Sequence, residues 1–227
     1  MQEGLSLLWF ICVVASLAAW FYLEISLSVA GKFQSRRQIT GCELARQVLD
    51  QSRLSQTAIL PAQGLWDIHF GFDFERLFLS EKAYYGTQLG DLGISLHESA
   101  HLLRESKEVV PVDLRTHTVN FLRIAILASW SFIVAGRFFP AWTWMMPFGQ
   151  FLFVILCIRA FALLGEEWEV TTLGLASLPL LEGLETNELV RVRKLLQAIR
   201  WSPLAELFAE PFSLLFRHKR KIPAGAS

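Results

Sequence analysis

The stretch "GISLHESAHLL", Gly93 to Leu103, places two histidines and a glutamate within a run that is otherwise apolar or small. On a helix, residues four positions apart stand on one face, so the imidazoles of His97 and His101 can reach the same ion. Zinc binds neutral imidazole nitrogen at about 2.0–2.1 Å and prefers four ligands. Glu98 follows the first histidine and can take a proton from a zinc-activated water, because zinc lowers the pKa of that water towards 7.

The competing interpretation is a core helix that carries polar residues by chance. Such a helix would bury two imidazoles and a carboxylate without partners. An unpaired buried carboxylate is costly, whereas one metal ion pairs all three groups at once. The HExxH pattern also arises by chance in unrelated sequences, but its apolar surroundings favour a zinc-binding helix here.

A hydrolytic zinc site normally has three protein ligands and one open position, so a third ligand is needed. The candidates are three carboxylates of the stretch "LLGEEWEVT" and three further histidines: Glu166, Glu167, Glu169, His69, His117 and His218. The basic surroundings of His218, "RHKRK", are a poor place to hold a dication. A cluster of glutamates at a helix end is also commonly just solvated, so residue chemistry alone leaves the choice open.

Composition indicates a membrane protein. Of 227 residues, 53% are hydrophobic, against about 45–50% in a soluble domain. Lys+Arg and Asp+Glu both number 21, so no basic field is present to attract nucleic acid, and we expect no nucleic-acid partner. The three cysteines, Cys12, Cys42 and Cys157, are too widely spaced for a disulfide framework or a cysteine-rich metal site.

The apolar residues gather in three runs, Leu5–Leu23, Ile124–Phe139 and Phe148–Gly165. The first is uncharged over roughly 19 residues, about the length that crosses a hydrocarbon core of about 30 Å. It is longer than the apolar part of a signal peptide and no Lys or Arg precedes it, so we expect a retained anchor. The Trp-rich stretch "PAWTWMMP" separates the other two runs and predicts a helical hairpin through the membrane.

Basic residues indicate the orientation. Lys32, Arg36 and Arg37 follow the first span at once, which places the segment after it in the cytoplasm. A hairpin returns the chain to the same side. Glu206 and Glu210 interrupt the weaker apolar run Trp201–Phe216, so we expect an interfacial helix there, with Leu204, Leu207, Phe208, Leu214 and Leu215 in the lipid. The prediction is a multi-pass protein of the inner (plasma) membrane with three spans.

The polar part before the hairpin predicts a small mixed fold. Thr40 followed by Glu43 is a capping box at the start of a helix. The stretches "QTAILPAQG", which Pro61 would end, and "FERLFLS" read as strands of a small hairpin or three-stranded ribbon. From Thr87 the leucine spacing predicts a buried helix that carries the histidine pair.

Five stretches in fixed order carry a family resemblance: "ITGCELARQVLD", "ERLFLSEKAYYG", "LGISLHESAHLL", "LLGEEWEVTTLGLASL" and "LEGLETNELVRVRKLL". With them the sequence resembles, over almost its whole length, a bacterial family of neutral zinc metallopeptidases of the membrane. In layout it is more distantly similar to the heat-shock protease HtpX and the CAAX prenyl proteases. The resemblance implies that His97, His101 and Glu167 bind the cofactor Zn2+ and that Glu98 is the catalytic base.

The chain departs from the family pattern before the second strand. The family usually has Asp-His-Tyr-Asp-Pro where this chain has Ile68-His69-Phe70-Gly71-Phe72, so only the histidine survives and both acidic positions are lost. Ala100 in place of Gly, and Val170-Thr171 in place of Ala-Ser, are sterically mild changes.

These observations predict a mainly α-helical integral membrane protein with a small α+β, cytoplasmic, zincin-like catalytic part. The expected segments are an N-terminal transmembrane anchor (1–30), a cytoplasmic catalytic segment with the HExxH helix (31–120), a transmembrane helical hairpin (121–165), a cytoplasmic helical segment with the third zinc ligand (166–200), and an interfacial or membrane helix with a basic tail (201–227).

The expected function is that of a membrane-embedded, gluzincin-like peptidase, which hydrolyses peptide bonds through a zinc-activated water with Glu98 as general base. Its expected partners are a peptide or protein substrate and the lipid bilayer, while its oligomeric state is open. The oxyanion donor is also open among His69, His117, Tyr84, Tyr85 and Arg115. The alternatives are a non-catalytic zinc-binding membrane partner or scaffold, and a zinc hydrolase of non-peptide amides.

Overall fold

The chain folds mainly into helices. A computed structural model describes residues 2–52, 54–62, 76–106 and 112–216, with the backbone alone for 112–120 and 212–216. The helices are α1 (Gln2–Ala30), α2 (Gly41–Asp50), α3 (Glu81–Tyr85), α4 (Leu89–Glu105), α5 (Val112–Phe138), α6 (Met145–Ser177), α7 (Thr186–Ile199) and α8 (Ser202–Phe216). The strands are β1 (Ala58–Ala62) and β2 (Arg76–Ser80). The segment before β2, which contains Ile68–Phe72, lies outside the described residues, so the prediction for it stays a prediction.

Three helices of the described part are long and apolar enough to cross a membrane. They are Gln2–Ala30, Phe121–Phe138, and Met145–Leu180, which adds a 3₁₀ turn to α6. Their apolar side chains are largely exposed to the surroundings, as expected where lipid is the solvent. The predicted class, a mainly helical membrane protein with a small α+β part, is confirmed.

The chain divides into two compact units. The hairpin unit contains Met1–Trp20, Thr118–Ala162 and Pro203–Ser227, and the mixed unit contains Phe21–His117 and Leu163–Ser202.

In the mixed unit, α4 is the central helix, with α2 and α7 packed against it. Leu92 and Leu96 of α4 are fully buried in one cluster, which also contains Leu44 of α2 and Leu195 and Leu196 of α7. A second cluster joins β2 and α3 to the remaining faces of α2 and α4. The helix that carries His97 and His101 is therefore packed against its neighbours on several sides.

The capping box predicted for α2 is present. The Thr40 hydroxyl oxygen accepts a hydrogen bond from the Glu43 backbone N–H at 3.2 Å, and the Glu43 carboxylate accepts one from the Thr40 backbone N–H at 2.8 Å. Two donors that the helix start leaves without a backbone partner are thereby satisfied.

The prediction of a hairpin or three-stranded ribbon is wrong, because β1 and β2 pair in parallel. Residues 63–75 separate them, and parallel strands need a connection of about a dozen residues or more. Pro61 does not end β1 but lies within it, opposite Leu79. Proline is tolerated here because each strand of the pair has one edge whose N–H groups pair with no other strand of the described residues.

In the hairpin unit, α5 and α6 form the predicted helical hairpin, joined by a 3₁₀ turn at Pro140–Trp142. Gly149 of α6 lies so close to α5 that a β-carbon there would be only 2.7 Å from the Ser129 carbonyl oxygen. Small residues permit this approach, which is how helices in lipid gain packing contacts. Trp142 and Trp144 at the tip are exposed, as interfacial tryptophans are.

Helix α8 continues through Pro211, and a hydrogen bond from Trp130 of α5 replaces the backbone hydrogen bond that the proline removes. Proline has no N–H, so the carbonyl of Leu207, four residues earlier, loses its helical partner. The indole Nε1–H of Trp130 donates to that carbonyl oxygen at 3.0 Å. The side chain of Arg123 also pairs with Glu210, at 2.8 Å.

The expectation that Leu204 and Leu207 enter the lipid is wrong, because both are buried within the protein. The aromatic ring of Phe208 likewise packs on Trp20 and Trp130, with centroid distances of 5.4 and 6.0 Å. The sequence showed an amphipathic run but not the surface that covers it. The Leu214 and Leu215 side chains and the basic tail lie outside the described residues.

The close packing around Gly41, at the start of α2, can be tested by adding a side chain there. A β-carbon on Gly41 would overlap the Ala83 carbonyl oxygen and the Ser95 hydroxyl, so Gly41→Ala is expected to destabilise the protein by about 1–3 kcal/mol. Gly174→Ala in α6 is the control, since its nearest neighbour would be 3.5 Å away and alanine favours a helix. Thermal unfolding in detergent should show a lower midpoint for the first variant only. Equal midpoints for Gly41→Ala and the parent would contradict the packing described.

Candidate metal centre

Helix α4 places His97 and His101 on one face, one turn apart. Each residue is only 6% exposed. The helix cannot easily rotate, because Ser95 donates its hydroxyl to the Ala83 carbonyl at 3.0 Å while Leu92 and Leu96 are buried in the core. The two imidazoles are therefore held in fixed directions by packing on the rest of α4.

Glu167 of α6 lies against both imidazoles. Its Oε2 is 3.5 Å from His97 Nε2 and its Oε1 is 3.4 Å from His101 Nε2, while the two Nε2 atoms are 3.1 Å apart. Atoms that bind one tetrahedral ion at about 2.0–2.1 Å are separated by about 3.3–3.4 Å. The two Nε2 atoms lie near that separation, each is approached at a similar distance by a different oxygen of Glu167, and one donor atom from each residue lies within 4.8 Å of the others. The three side chains are therefore close enough to share one ion.

The chemistry of the three donors also fits zinc. Neutral imidazole nitrogen and carboxylate oxygen are both zinc ligands. Metal binding requires both Nε2 atoms to be deprotonated, with the ring protons on Nδ1. Without a metal, the 3.1 Å separation suits a hydrogen bond between the rings in which one Nε2 carries the proton. The same arrangement of the two rings therefore suits either a shared metal ion or a proton shared between the two Nε2 atoms.

The neighbouring glutamates point elsewhere. Glu166 and Glu169 are three residues apart and share a face of α6, and they project about 100° and 160° away from Glu167 around the helix axis. Both accept from Arg104 of α4: its Nη1 lies 3.2 Å from Glu166 Oε2 and its Nε lies 2.9 Å from Glu169 Oε2. Among the glutamates of this cluster, it is Glu167 that joins the histidines.

Glu98 is half-buried on α4 and follows His97 directly. Its side chain therefore projects from the helix about 100° away from the first imidazole. It is not one of the three clustered donor residues.

The remaining candidates have other positions. Tyr85 is 63% exposed. A hydrogen bond with Cys42, reinforced by burial, raises the pKa of Tyr84 to about 12, so this phenol keeps its proton at physiological pH. The side chains of His69, Arg115, His117 and His218 lie outside the described residues.

Arg104 is the residue that sequence reasoning missed. It lies seven residues after His97 and three after His101, on the same side of α4. That spacing, together with two glutamates that flank a third, is the signal in the sequence that indicates a clamp between the two helices. Its side chain is 14% exposed, so the guanidinium is partly shielded from solvent.

Arg104 should support zinc binding without contacting zinc. Arg104→Gln removes the link that sets α6 against α4, and we expect zinc affinity to fall by about tenfold, within the range for outer-shell partners. Chelator competition measures the affinity. Arg36→Gln, which breaks a 2.8 Å ion pair with Glu185 in the same unit, is the matched control. The triple variant Arg104→Glu, Glu166→Arg, Glu169→Arg exchanges the charges across the two helices and should recover zinc affinity. Parental zinc affinity in Arg104→Gln would exclude a role for this ion-pair cluster.

The sequence is similar to those of known proteins. Residues 5–215 match the sequence model of a family described as "Putative neutral zinc metallopeptidase". A stretch of 97 residues is 27% identical to the "Putative membrane protease YugP" of Bacillus subtilis (strain 168), and covers 43% of this chain and 43% of that relative. No solved structure matches the chain. Because the family match covers almost the whole sequence, the chain belongs to this family of neutral zinc metallopeptidases.

Proposed function

We propose that the protein is a membrane-embedded, zinc-dependent peptidase in which His97, His101 and Glu167 bind the metal and Glu98 is the general base. The observation that carries the proposal is the convergence of three side chains: the two Nε2 atoms are 3.1 Å apart, and the two carboxylate oxygens of Glu167 lie 3.4 and 3.5 Å from them. Both imidazoles are buried and the carboxylate is largely shielded from solvent, so all three groups give up hydration that a bound cation offsets. A divalent ion compensates all three.

The number of donors supports a catalytic role for the metal over a structural one. Structural zinc sites usually have four protein ligands, whereas catalytic sites have three and keep one position open. The clustered donors among the described residues are three, and two histidines with one glutamate are a ligand set of zinc peptidases.

In the proposed mechanism, His97, His101 and Glu167 would hold a zinc ion that, when bound, would supply Lewis-acid chemistry by lowering the pKa of a water towards 7 and polarising the scissile carbonyl. Glu98 accepts the proton of the attacking water on its carboxylate. It then delivers this proton to the leaving amide nitrogen, so that the amine departs neutral. The burial of His97 and His101 holds the rings in place and excludes bulk water from their faces.

The substrate is proposed to be a peptide or protein held in extended form. Each strand of the β1–β2 pair has an edge that pairs with no other described strand. Such an edge can accept an extended chain by strand addition, which presents every second side chain to the enzyme. In this mode of binding, hydrogen bonds between the backbones of the strand and the substrate provide most of the affinity.

Glu98→Gln is expected to keep zinc but lose cleavage, because an amide cannot act as a base while both imidazoles remain. Proteomics of cleaved termini, in cells with the parent or the variant, measures cleavage, and elemental analysis of the purified proteins measures zinc. Glu167→Ala should lose zinc, whereas Glu166→Ala should retain one zinc per chain.

Two results would refute these roles. Unchanged cleavage in folded Glu98→Gln protein would remove Glu98 from the mechanism. Zinc loss in Glu166→Ala with retention in Glu167→Ala would move the third ligand to the neighbouring residue. Zinc retained in every variant, with no cleavage products in the parent, would favour a non-catalytic membrane partner.

We further propose that the protein lies in the inner membrane with the mixed unit in the cytoplasm, since Lys32, Arg36 and Arg37 follow α1 directly. Ser55 is exposed, so Ser55→Cys in a Cys42→Ser background provides an accessible thiol. In intact cells it should react with a membrane-permeant thiol reagent and resist an impermeant one. Labelling by the impermeant reagent would reverse the orientation. Lysed cells, in which both reagents should react, are the control.

A further inference from the structure

A groove of about 520 Å³ lies in the mixed unit between the C-terminal end of α1 and helix α7. Ile25 and Val29 line it from α1, and Val190, Arg191 and Lys194 line it from α7. Its two walls differ in chemistry. The α1 wall is mainly apolar, with Ser26 as its polar residue, whereas the α7 wall carries two cations beside Asn187 and Val190.

The apolar wall belongs to a candidate membrane span. Ile25, Val29 and Val190 are 60%, 45% and 47% exposed, although each carries a branched hydrocarbon side chain. Ile25 and Val29 lie in the last turns of α1, which is long and apolar enough to cross a bilayer. Exposure of such residues is unfavourable in water and favourable where hydrocarbon chains cover them.

The cationic wall carries the charges of Arg191 and Lys194, for which the described residues show no ion pair. The guanidinium carbon of Arg191 lies 3.6 Å from the centre of the Phe33 ring, a contact that orients the group. Lys194 follows three residues later on the same helical face. None of the residues that line the groove is acidic.

The nearby Glu188 does not neutralise this wall. It is buried on another face of α7, and its carboxylate accepts hydrogen bonds from the backbone N–H groups of Arg36 and Glu185, both at 2.8 Å. Its negative charge is therefore directed into the helix start and the loop after α1. The groove itself keeps the two positive charges of Arg191 and Lys194.

We propose that this groove binds an anionic phospholipid. Its phosphate lies on Arg191 and Lys194, and an acyl chain lies along Ile25 and Val29. An amphiphile with an anionic head is the ligand that uses both walls, since a soluble phosphate would leave the hydrocarbon wall uncovered. The head group meets cations that are placed close to the end of a span, where anionic lipids attract basic side chains.

Bound lipid should stabilise the mixed unit. Leu195, at the floor of the groove, also packs against Gly93 of α4, the helix that carries the histidine pair. A ligand that binds the folded state alone raises its unfolding temperature by mass action. This inference does not depend on the proposed peptidase activity, because stability is measured without turnover.

The test uses the purified full chain in neutral detergent, with thermal unfolding as the readout. Phosphatidylglycerol is expected to raise the unfolding midpoint by a few degrees, whereas phosphatidylcholine and inorganic phosphate leave it nearly unchanged. The double variant Arg191→Gln, Lys194→Gln should lose the response to phosphatidylglycerol. Val29→Trp, which fills the apolar wall and keeps every charge, should also weaken it.

The control is Arg37→Gln, Arg193→Gln, which removes two exposed cations of the same unit that do not line the groove. It should respond to phosphatidylglycerol as the parent does. Equal loss in both double variants would reduce the effect to general charge, and a full response in Arg191→Gln, Lys194→Gln would overturn the site. Stabilisation by inorganic phosphate to the same extent would indicate an anion site without a lipid.

Discussion

The desolvation of two imidazoles and one carboxylate is the constraint on which the mixed unit depends. His97, His101 and Glu167 lie within hydrogen-bonding or ion-pair range of one another while little of each is in contact with solvent. Polar groups removed from water must find partners, and a separation error of an ångström would leave them without any. The surrounding structure therefore has to fix α4 and α6 against each other with high accuracy.

Helical periodicity allows the same two helices to bring three possible metal donors together and to contact each other through a separate ion-pair cluster. On α6, Glu167 faces the histidines, while Glu166 and Glu169 face the guanidinium of Arg104. A rotation of about 100° per residue separates these tasks within a single turn. The two exposed carboxylates alone would add little to stability, because solvent screens them. Their value lies in fixing the register of the helix that carries the third donor.

Apolar surroundings impose the same requirement on backbone groups in the hairpin unit. Pro211 removes one helical hydrogen bond from α8, and Trp130 replaces it with an indole donor. Where lipid is the solvent, no water can satisfy such a carbonyl, so protein side chains must. Neighbouring helices thus satisfy polar groups in both units, although the groups concerned are the side chains of His97, His101 and Glu167 in one and a single peptide carbonyl in the other.

The sequence by itself determined the features that depend on neighbours along the chain: the apolar helices, the capping box at Thr40 and the histidine pair on one face of α4. Local spacing sets these because helix geometry repeats every 3.6 residues. Family resemblance then indicated Glu167. Only the tertiary structure decided that β1 and β2 run parallel, that Arg104 joins the flanking glutamates and that Trp130 supports α8. These depend on contacts between residues distant in sequence, which hydrophobic periodicity does not encode.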